Sequence, residues 1–212
     1  MYLSRLMLNP RDPSALRAVS DSYALHQLVW SAFPGREDGG PGRVLFRAEE
    51  HSRGSAPTVL VQSDREPMWE RIERSGLLTA DRKRVCVTVT EGQRLRFRLR
   101  ANPTVRRVFE RGADGKCESE GKRIGVYGED AQGKWLEAKA EKAGFRVLDC
   151  RVADRGVLVS RKPGCEQPIR HLCVDFDGIL EVTDPSCFLA ALESGIGSAK
   201  AFGFGLLSVA PA

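Results

Sequence analysis

Tyr2-Leu3-Ser4-Arg5-Leu6-Met7-Leu8 alternates in hydropathy and runs into Asn9-Pro10, the pattern of a strand that ends at a turn. Asp12-Pro13 then supplies an N-cap and a first helical position. The helix that follows is re-capped at Ser20-Asp21 and must stop at Phe33-Pro34-Gly35, because proline disfavours helical geometry in the residue before it. Strands fit residues 43–47 and 58–62, and residues 67–75 read as a short helix closed by Gly76. Leu95-Arg96-Phe97-Arg98-Leu99-Arg100 alternates strictly, which puts three apolar side chains on one face and arginines on the other.

Farther along, Gly112 to Gly121 is rich in glycine and charge and reads as a linker. Beyond it a helix over 130–142 is stopped by Gly144. Strands follow at 145–148 and 157–159, then a longer or bent strand over 172–182. A helix opens at Asp184-Pro185, and a Gly-rich loop leads to a final strand at 206–209. Each half therefore reads as β-α-β-β-α-β. That order predicts an α+β protein of two tandem ferredoxin-like (RRM-like) domains, each an antiparallel sheet with helices on one face, over 1–111 and 122–212 joined by 112–121.

Composition narrows the class. In 212 residues, 42% hydrophobic and 29% charged, a packed core is affordable and disorder is excluded. No apolar run approaches the roughly 18 residues of a membrane span, and the N-terminus is too short and charged for a signal peptide, so the expected compartment is the cytoplasm. The six cysteines form no C-x-x-C pair and read as reduced thiols, several of them in the core. The net charge of +5 is unevenly spread: Arg82 to Arg111 holds ten basic residues against two acidic ones, a cationic stripe suited to a polyanion.

On the first helix Tyr23, His26 and Trp30 share a stripe beside the apolar set Leu25, Leu28, Val29 and Ala32. Tyr23 and His26 fit either of two descriptions, a core histidine satisfied by a carbonyl or an acid/base pair at a cleft. Imidazole suits the second because it exchanges a proton near neutrality. His51, in a polar loop, and His171, before a strand, read as incidental. The segment Gly195 to Gly205 places four glycines (Gly195, Gly197, Gly203, Gly205) and Lys200 between a helix and a strand. It could cradle a phosphate on backbone N–H groups or simply form a tight connection; its order is not that of a dinucleotide fingerprint. Asp175 and Asp177 share a strand face and read as outward-facing charges rather than a two-metal site. Arg161 and Lys162, with Arg155 and Arg170 nearby, read as a basic hairpin tip able to track phosphates or as a solvated turn.

Four stretches carry a resemblance: Met1-Tyr2-Leu3-Ser4; Tyr23-Ala24-Leu25-His26-Gln27 ahead of Trp30 and Phe33-Pro34; Phe97-Arg98-Leu99-Arg100-Ala101-Asn102-Pro103; and Gly195-Ile196-Gly197-Ser198-Ala199-Lys200-Ala201 through Pro211. The chain resembles the type I-E CRISPR-associated pre-crRNA endoribonucleases, the CasE subunits of Cascade complexes. The resemblance implies cleavage at the base of the CRISPR repeat stem-loop, without metal or cofactor, giving a 5′-hydroxyl and a 2′,3′-cyclic phosphate. It also implies retention of the product hairpin beside other Cascade subunits, with DNA met only through the complex. By the same resemblance His26 is the general acid/base and Tyr23 its partner. Arg161 and Lys162 fall at the RNA-gripping hairpin, with Arg155 and Arg170 beside them, and Lys200 and the glycines form the family's loop. Where some relatives carry a basic residue after the histidine this chain has Gln27 and Ser31. Lys200, or an arginine of the cationic strand such as Arg98 or Arg100, is then left to face the RNA and its developing charge. The competing reading is a non-catalytic RNA-binding scaffold on the same folds.

Overall fold

The computed structural model describes residues 1–49, 55–107, 122–164 and 167–212. The first unit runs β1 (Tyr2–Leu8), α1 (Pro13–Ser20), α2 (Ser22–Trp30), β2 (Val44–Ala48), β3 (Thr58–Ser63), α3 (Glu70–Glu73) and β4 (Leu78–Arg84). Its antiparallel sheet has the order β2-β3-β1-β4. Asp12 caps α1 by accepting from the Ser14 and Ala15 amides, with Pro13 at the first turn, as the sequence predicts. Asp21 does two jobs at the predicted break: its N–H caps α1 on the Arg17 carbonyl, while its carboxylate accepts from Tyr23 N at 2.8 Å to start α2. Leu6, Leu8, Leu25, Val29, Phe46, Val59, Val61 and Trp69 fill the core between helices and sheet. The expected helix over 67–75 shrinks to the single turn of α3. The Met68 amide is spent on the Ala32 carbonyl, and the buried Trp69 indole donates to Ser4 Oγ at 2.9 Å, which fixes the approach to that turn.

The second unit repeats the order with β5 (Arg94–Ala101), α4 (Glu129–Lys142), β8 (Phe145–Ser160), β9 (Ile169–Val182), α5 (Pro185–Ser194) and β10 (Leu207–Pro211), in a sheet ordered β10-β5-β9-β8. Both sheets thus have the ferredoxin-like order, in which the first strand lies between the third and the fourth. Two short strands, β6 (Thr104–Arg107) and β7 (Lys122–Gly125), form a separate ribbon between β5 and α4. The expected first domain, 1–111, included the alternating arginine strand. Its pairing corrects that: β5 is the first strand of the second sheet, hydrogen-bonded to β9 and β10, with Leu95, Phe97 and Leu99 in the second core. Alternation sets which face of a strand is apolar but not which sheet receives it. The expected linker 112–121, like His51, Cys117 and Cys165, lies outside the described residues.

The two strands expected at 145–148 and 157–159 are one, β8, whose register against β9 shifts between Val147 and Asp149 and between Asp154 and Val157. Each irregularity breaks the period-2 pattern, so the sequence looks interrupted where the backbone is continuous. Of the four described cysteines only Cys173 is buried; Cys86 and Cys187 are exposed, fewer core thiols than expected.

Candidate active site

α2 carries the half-buried Tyr23 and His26 beside the buried Leu25 and Val29. The His26 ring lies against Trp30 with centroids 4.0 Å apart, and Trp30 stands edge-on to Phe46 at 6.3 Å. Tyr23 lies one turn back, its ring centroid 6.4 Å from His26, with its hydroxyl accepting from Gln27 Nε2 at 3.4 Å. From the second unit, Phe202 stacks on His26 at 6.5 Å. The imidazole therefore sits at the junction of the two units, partly exposed rather than sealed in hydrocarbon. Its Nδ1 is buried and meets no hydrogen-bond partner among the described residues. Burial lowers its pKa from the ordinary value, while a backbone hydrogen bond with Ala201 pulls the other way.

The loop that brings Phe202 to α2 is the predicted Gly-rich segment. A 3-10 turn, Lys200–Phe202, is entered through Ala199, a left-handed residue at φ 59°. Gly203 (φ 86°) and Gly205 (φ 87°) leave the turn in conformations that side chains resist. A Cβ on Gly203 would stand 3.2 Å from Phe46, and one on Gly205 2.8 Å from the Ile196 carbonyl. Gly195 and Gly197 likewise approach Leu45 and Trp135. All four glycines thus seat the loop tightly against protein. Lys200 Nζ donates to the Ser194 carbonyl at 2.7 Å, capping α5, and burial beside Arg43 and Lys139 lowers its pKa.

The cationic strand is also largely committed. Arg100 grips Asp175 through two hydrogen bonds of 2.7 and 2.9 Å and donates to the Ala48 carbonyl across the seam. Arg98 pairs with Asp177 and with Glu49 of the first unit. Arg155 donates to Asp175 at 3.1 Å, so Asp175 serves two arginines. Burial would raise its carboxyl, but Arg100 and Arg155 together hold it below the usual carboxylate range. Asp175 is only 6% exposed, against the expected outward-facing charge; its partners on the same sheet face make burial tolerable. The residue that sequence reasoning missed is Arg47. At 2% exposure it pairs with Glu49 and donates to the Arg98 and Leu206 carbonyls and to Ser208 Oγ, joining the two sheets. Nothing in Arg43 to Arg47 announces this, since a strand arginine facing a partner domain has the pattern of one facing water.

Arg161 and Lys162 stand exposed at the β8–β9 turn, with Arg170 exposed at the start of β9. His171, read as incidental, joins the site instead: its ring packs on Phe202 at 4.7 Å and Phe204 at 5.7 Å. Its Nδ1 lies 3.4 Å from Asn102 Nδ2, and Asn102 in turn reaches Ser198 of the loop. The structure thus gathers Tyr23, His26, the loop and His171 at one junction. Arg98 and Arg100 lie along the seam in ion pairs, and Arg161 and Lys162 at the end of a projecting hairpin.

Residues 1–211 match the family described as CRISPR associated protein. The chain is 35% identical over 221 residues to the CRISPR-associated endoribonuclease Cse3 of Thermus thermophilus and 31% identical over 218 residues to the CRISPR system Cascade subunit CasE of Escherichia coli. In both comparisons each chain is covered completely. Its fold superposes with a TM-score of 0.82 on Thermus thermophilus Cse3 bound to an RNA representing a pre-cleavage complex, at 34% identity over 99% of this chain and 98% of that one. This chain therefore belongs to the CRISPR associated protein family.

Proposed function

We infer that this protein is an endoribonuclease that cuts CRISPR repeat RNA at the base of its stem-loop and keeps the product hairpin as a subunit of a Cascade complex. DNA is met only through that complex. The observation that carries this reading is the His26 ring, partly exposed where α2 meets the Gly-rich loop, with burial favouring its neutral form. Support comes from the names of the full-length relatives, an endoribonuclease and a Cascade subunit. A cytoplasmic placement goes with the reading; among the described residues no helix is long and apolar enough to cross a membrane.

In the proposed reaction the RNA supplies its own nucleophile. The 2′-oxygen bonds to the adjacent phosphorus, the bond from phosphorus to the 5′-oxygen breaks, and a 2′,3′-cyclic phosphate and a 5′-hydroxyl result. One proton leaves the 2′-hydroxyl and one reaches the departing 5′-oxygen, so an imidazole that begins neutral can accept the first. Tyr23, one turn away, orients the phosphate or the ring, and the step needs in-line placement more than covalent help from the protein. Arg161, Lys162, Arg155 and Arg170 grip the stem, and Lys200 with its glycines shapes the loop beside the scissile junction.

Mass spectrometry of the ends made from a cognate repeat tests the class. A cyclic phosphate is expected, as is complete loss of cutting when the nucleotide 5′ of the scissile phosphate is 2′-deoxy. A 3′-hydroxyl end, or cutting of the deoxy substrate, would overturn it. Binding of repeat RNA with no cutting at all would favour the scaffold reading.

A further inference from the structure

Three segments far apart in the chain meet at the Gly-rich loop, and each contributes one polar side chain. Asn102 follows the last residue of β5, His171 lies near the start of β9, and Ser198 precedes the left-handed Ala199. The Asn102 side-chain nitrogen carries two hydrogens. One is donated to Ser198 Oγ at 3.2 Å, and the other faces His171 Nδ1, 3.4 Å away. Ser198 Oγ donates its own hydrogen to the Asn102 carbonyl at 3.2 Å and lies 3.3 Å from Thr104 Oγ1. Asn102 is only 7% exposed, so this is an interior clamp rather than a surface contact.

The clamp stands where the loop needs it. A non-glycine residue at φ 59° is strained and persists only when its surroundings hold it. Ser198, one position ahead of Ala199, supplies that hold. The turn that Ala199 opens delivers two groups to His26: the Ala201 backbone, through a hydrogen bond, and the Phe202 ring, stacked at 6.5 Å. His171 closes the circuit. Besides meeting Asn102 it packs its ring on Phe202 at 4.7 Å and on Phe204 at 5.7 Å, so Phe202 has a histidine from each unit against it. His171 Nε2 is buried and has no partner among the described residues. An unpaired buried nitrogen costs stability, so this ring is kept in place by its aromatic contacts more than by its own polar groups.

We propose that His171 is a positioning residue for the cutting reaction: through Phe202 and the Asn102–Ser198 clamp it fixes the turn that orients the His26 imidazole. The proposal rests on the endoribonuclease reading of the site. It asks nothing of His171 toward the RNA or the reacting atoms, and the whole effect passes through His26. Misplacing a catalytic group by about 1 Å can cost about 10²-fold in rate, so a ring that sets the neighbouring turn has leverage without chemistry of its own.

The test measures single-turnover cutting of a repeat stem-loop at saturating RNA, with RNA affinity read separately. His171→Ala is expected to slow cutting by about tenfold to 10²-fold while affinity stays within about twofold. His171→Phe, which keeps a ring against Phe202, should recover cutting to within about threefold of wild type. The deciding comparison is made with His26 removed. A residue that works through His26 then has nothing left to lose, so H26A/H171A should cut within about twofold of H26A, whereas a merely structural defect would add to it. If His171→Ala does not fold, Phe202→Leu removes the ring between the histidines and keeps much of its volume. It should slow cutting to a similar extent, again with no further loss in H26A. Four results would overturn the positioning role and leave the nuclease standing: cutting within threefold of wild type in His171→Ala or its stand-in, a loss of affinity instead of rate, His171→Phe as slow as His171→Ala, or a double variant slowed by the full factor. A wild type that binds the repeat without cutting it would remove the endoribonuclease reading, and the role with it.

Discussion

The seam between the two sheets and the site at its end satisfy their polar groups in opposite ways. Along the seam Arg47, Arg98 and Arg100 reach Glu49, Asp175, Asp177 and four backbone carbonyls or hydroxyls, so each buried charge has a partner in fixed geometry. At the site His26 is held by the Trp30 and Phe202 rings and by a backbone hydrogen bond with Ala201, and among the described residues its buried Nδ1 has no partner. The contrast is informative because a group whose hydrogen bonds are already used for packing cannot exchange a proton with substrate. The seam fixes one unit against the other, so that a loop from the second meets a helix from the first. The imidazole between them is placed with one nitrogen, Nδ1, left unpaired among the described residues.

The largest effect should come from removing that imidazole. His26→Ala is expected to slow single-turnover cutting of repeat RNA by 10²-fold to 10⁴-fold while RNA affinity stays within about threefold. Cutting within tenfold of wild type would place the chemistry elsewhere. Next comes the seam. Asp175→Ala leaves Arg100 and Arg155 without their shared carboxylate and should cost about 3 kcal/mol in urea denaturation. The more exposed Arg98 pair is the control: Asp177→Ala should cost only about 0.5 kcal/mol. Equal losses would show that the seam is not the rigid part. Gly203→Ala tests how the two regions connect. With φ at 86° and Phe46 3.2 Å from the new methyl, we expect a loss of about 1–2 kcal/mol and a measurable slowing of cutting, because the loop that carries Phe202 must shift. Gly156→Ala, also left-handed but in open space, should cost less and leave cutting alone.

The difference between these regions also marks what could be read from the amino-acid order. Helix starts at Asp12 and Asp184, the break at Asp21 and the apolar faces of β1 and β5 are local, written in caps and periodicity over a few residues. The pairing of Tyr23 with His26 is local as well, one helical turn apart. What no window contains is the partner of a strand. The same alternation in β5 fits either sheet, and the same arginines fit solvent, RNA or a carboxylate 75 or 79 positions away in chain order. His171 was passed over for that reason. Nothing near it in sequence announces Phe202 or Asn102, and only the closing of β9 against the final loop brings them together. Bulges hid the continuity of β8 by shifting its alternation out of phase with itself.

The smallest expected effect is the most discriminating, because it separates the two histidines of the junction. Burial lowers the pKa of both His26 and His171 below the ordinary 6.5. Below that value the unfolded chain binds more protons than the folded one, so stability is full above about pH 6.5 and falls as pH drops through the window down to the folded pKa values. Cutting should follow the neutral form of His26 alone: it rises with pH to a midpoint below 6.5 and is flat above it. His171→Asn should therefore remove part of the acid loss of stability, seen in urea midpoints measured from pH 7 down to 5, yet leave the midpoint of the rate profile where it was. A rate midpoint that moves with His171 would mean that the two rings titrate as a coupled pair through Phe202. A midpoint at or above 6.5 in wild type would mean that the His26 ring is more solvated in the working protein than its contacts with Trp30 and Phe202 allow.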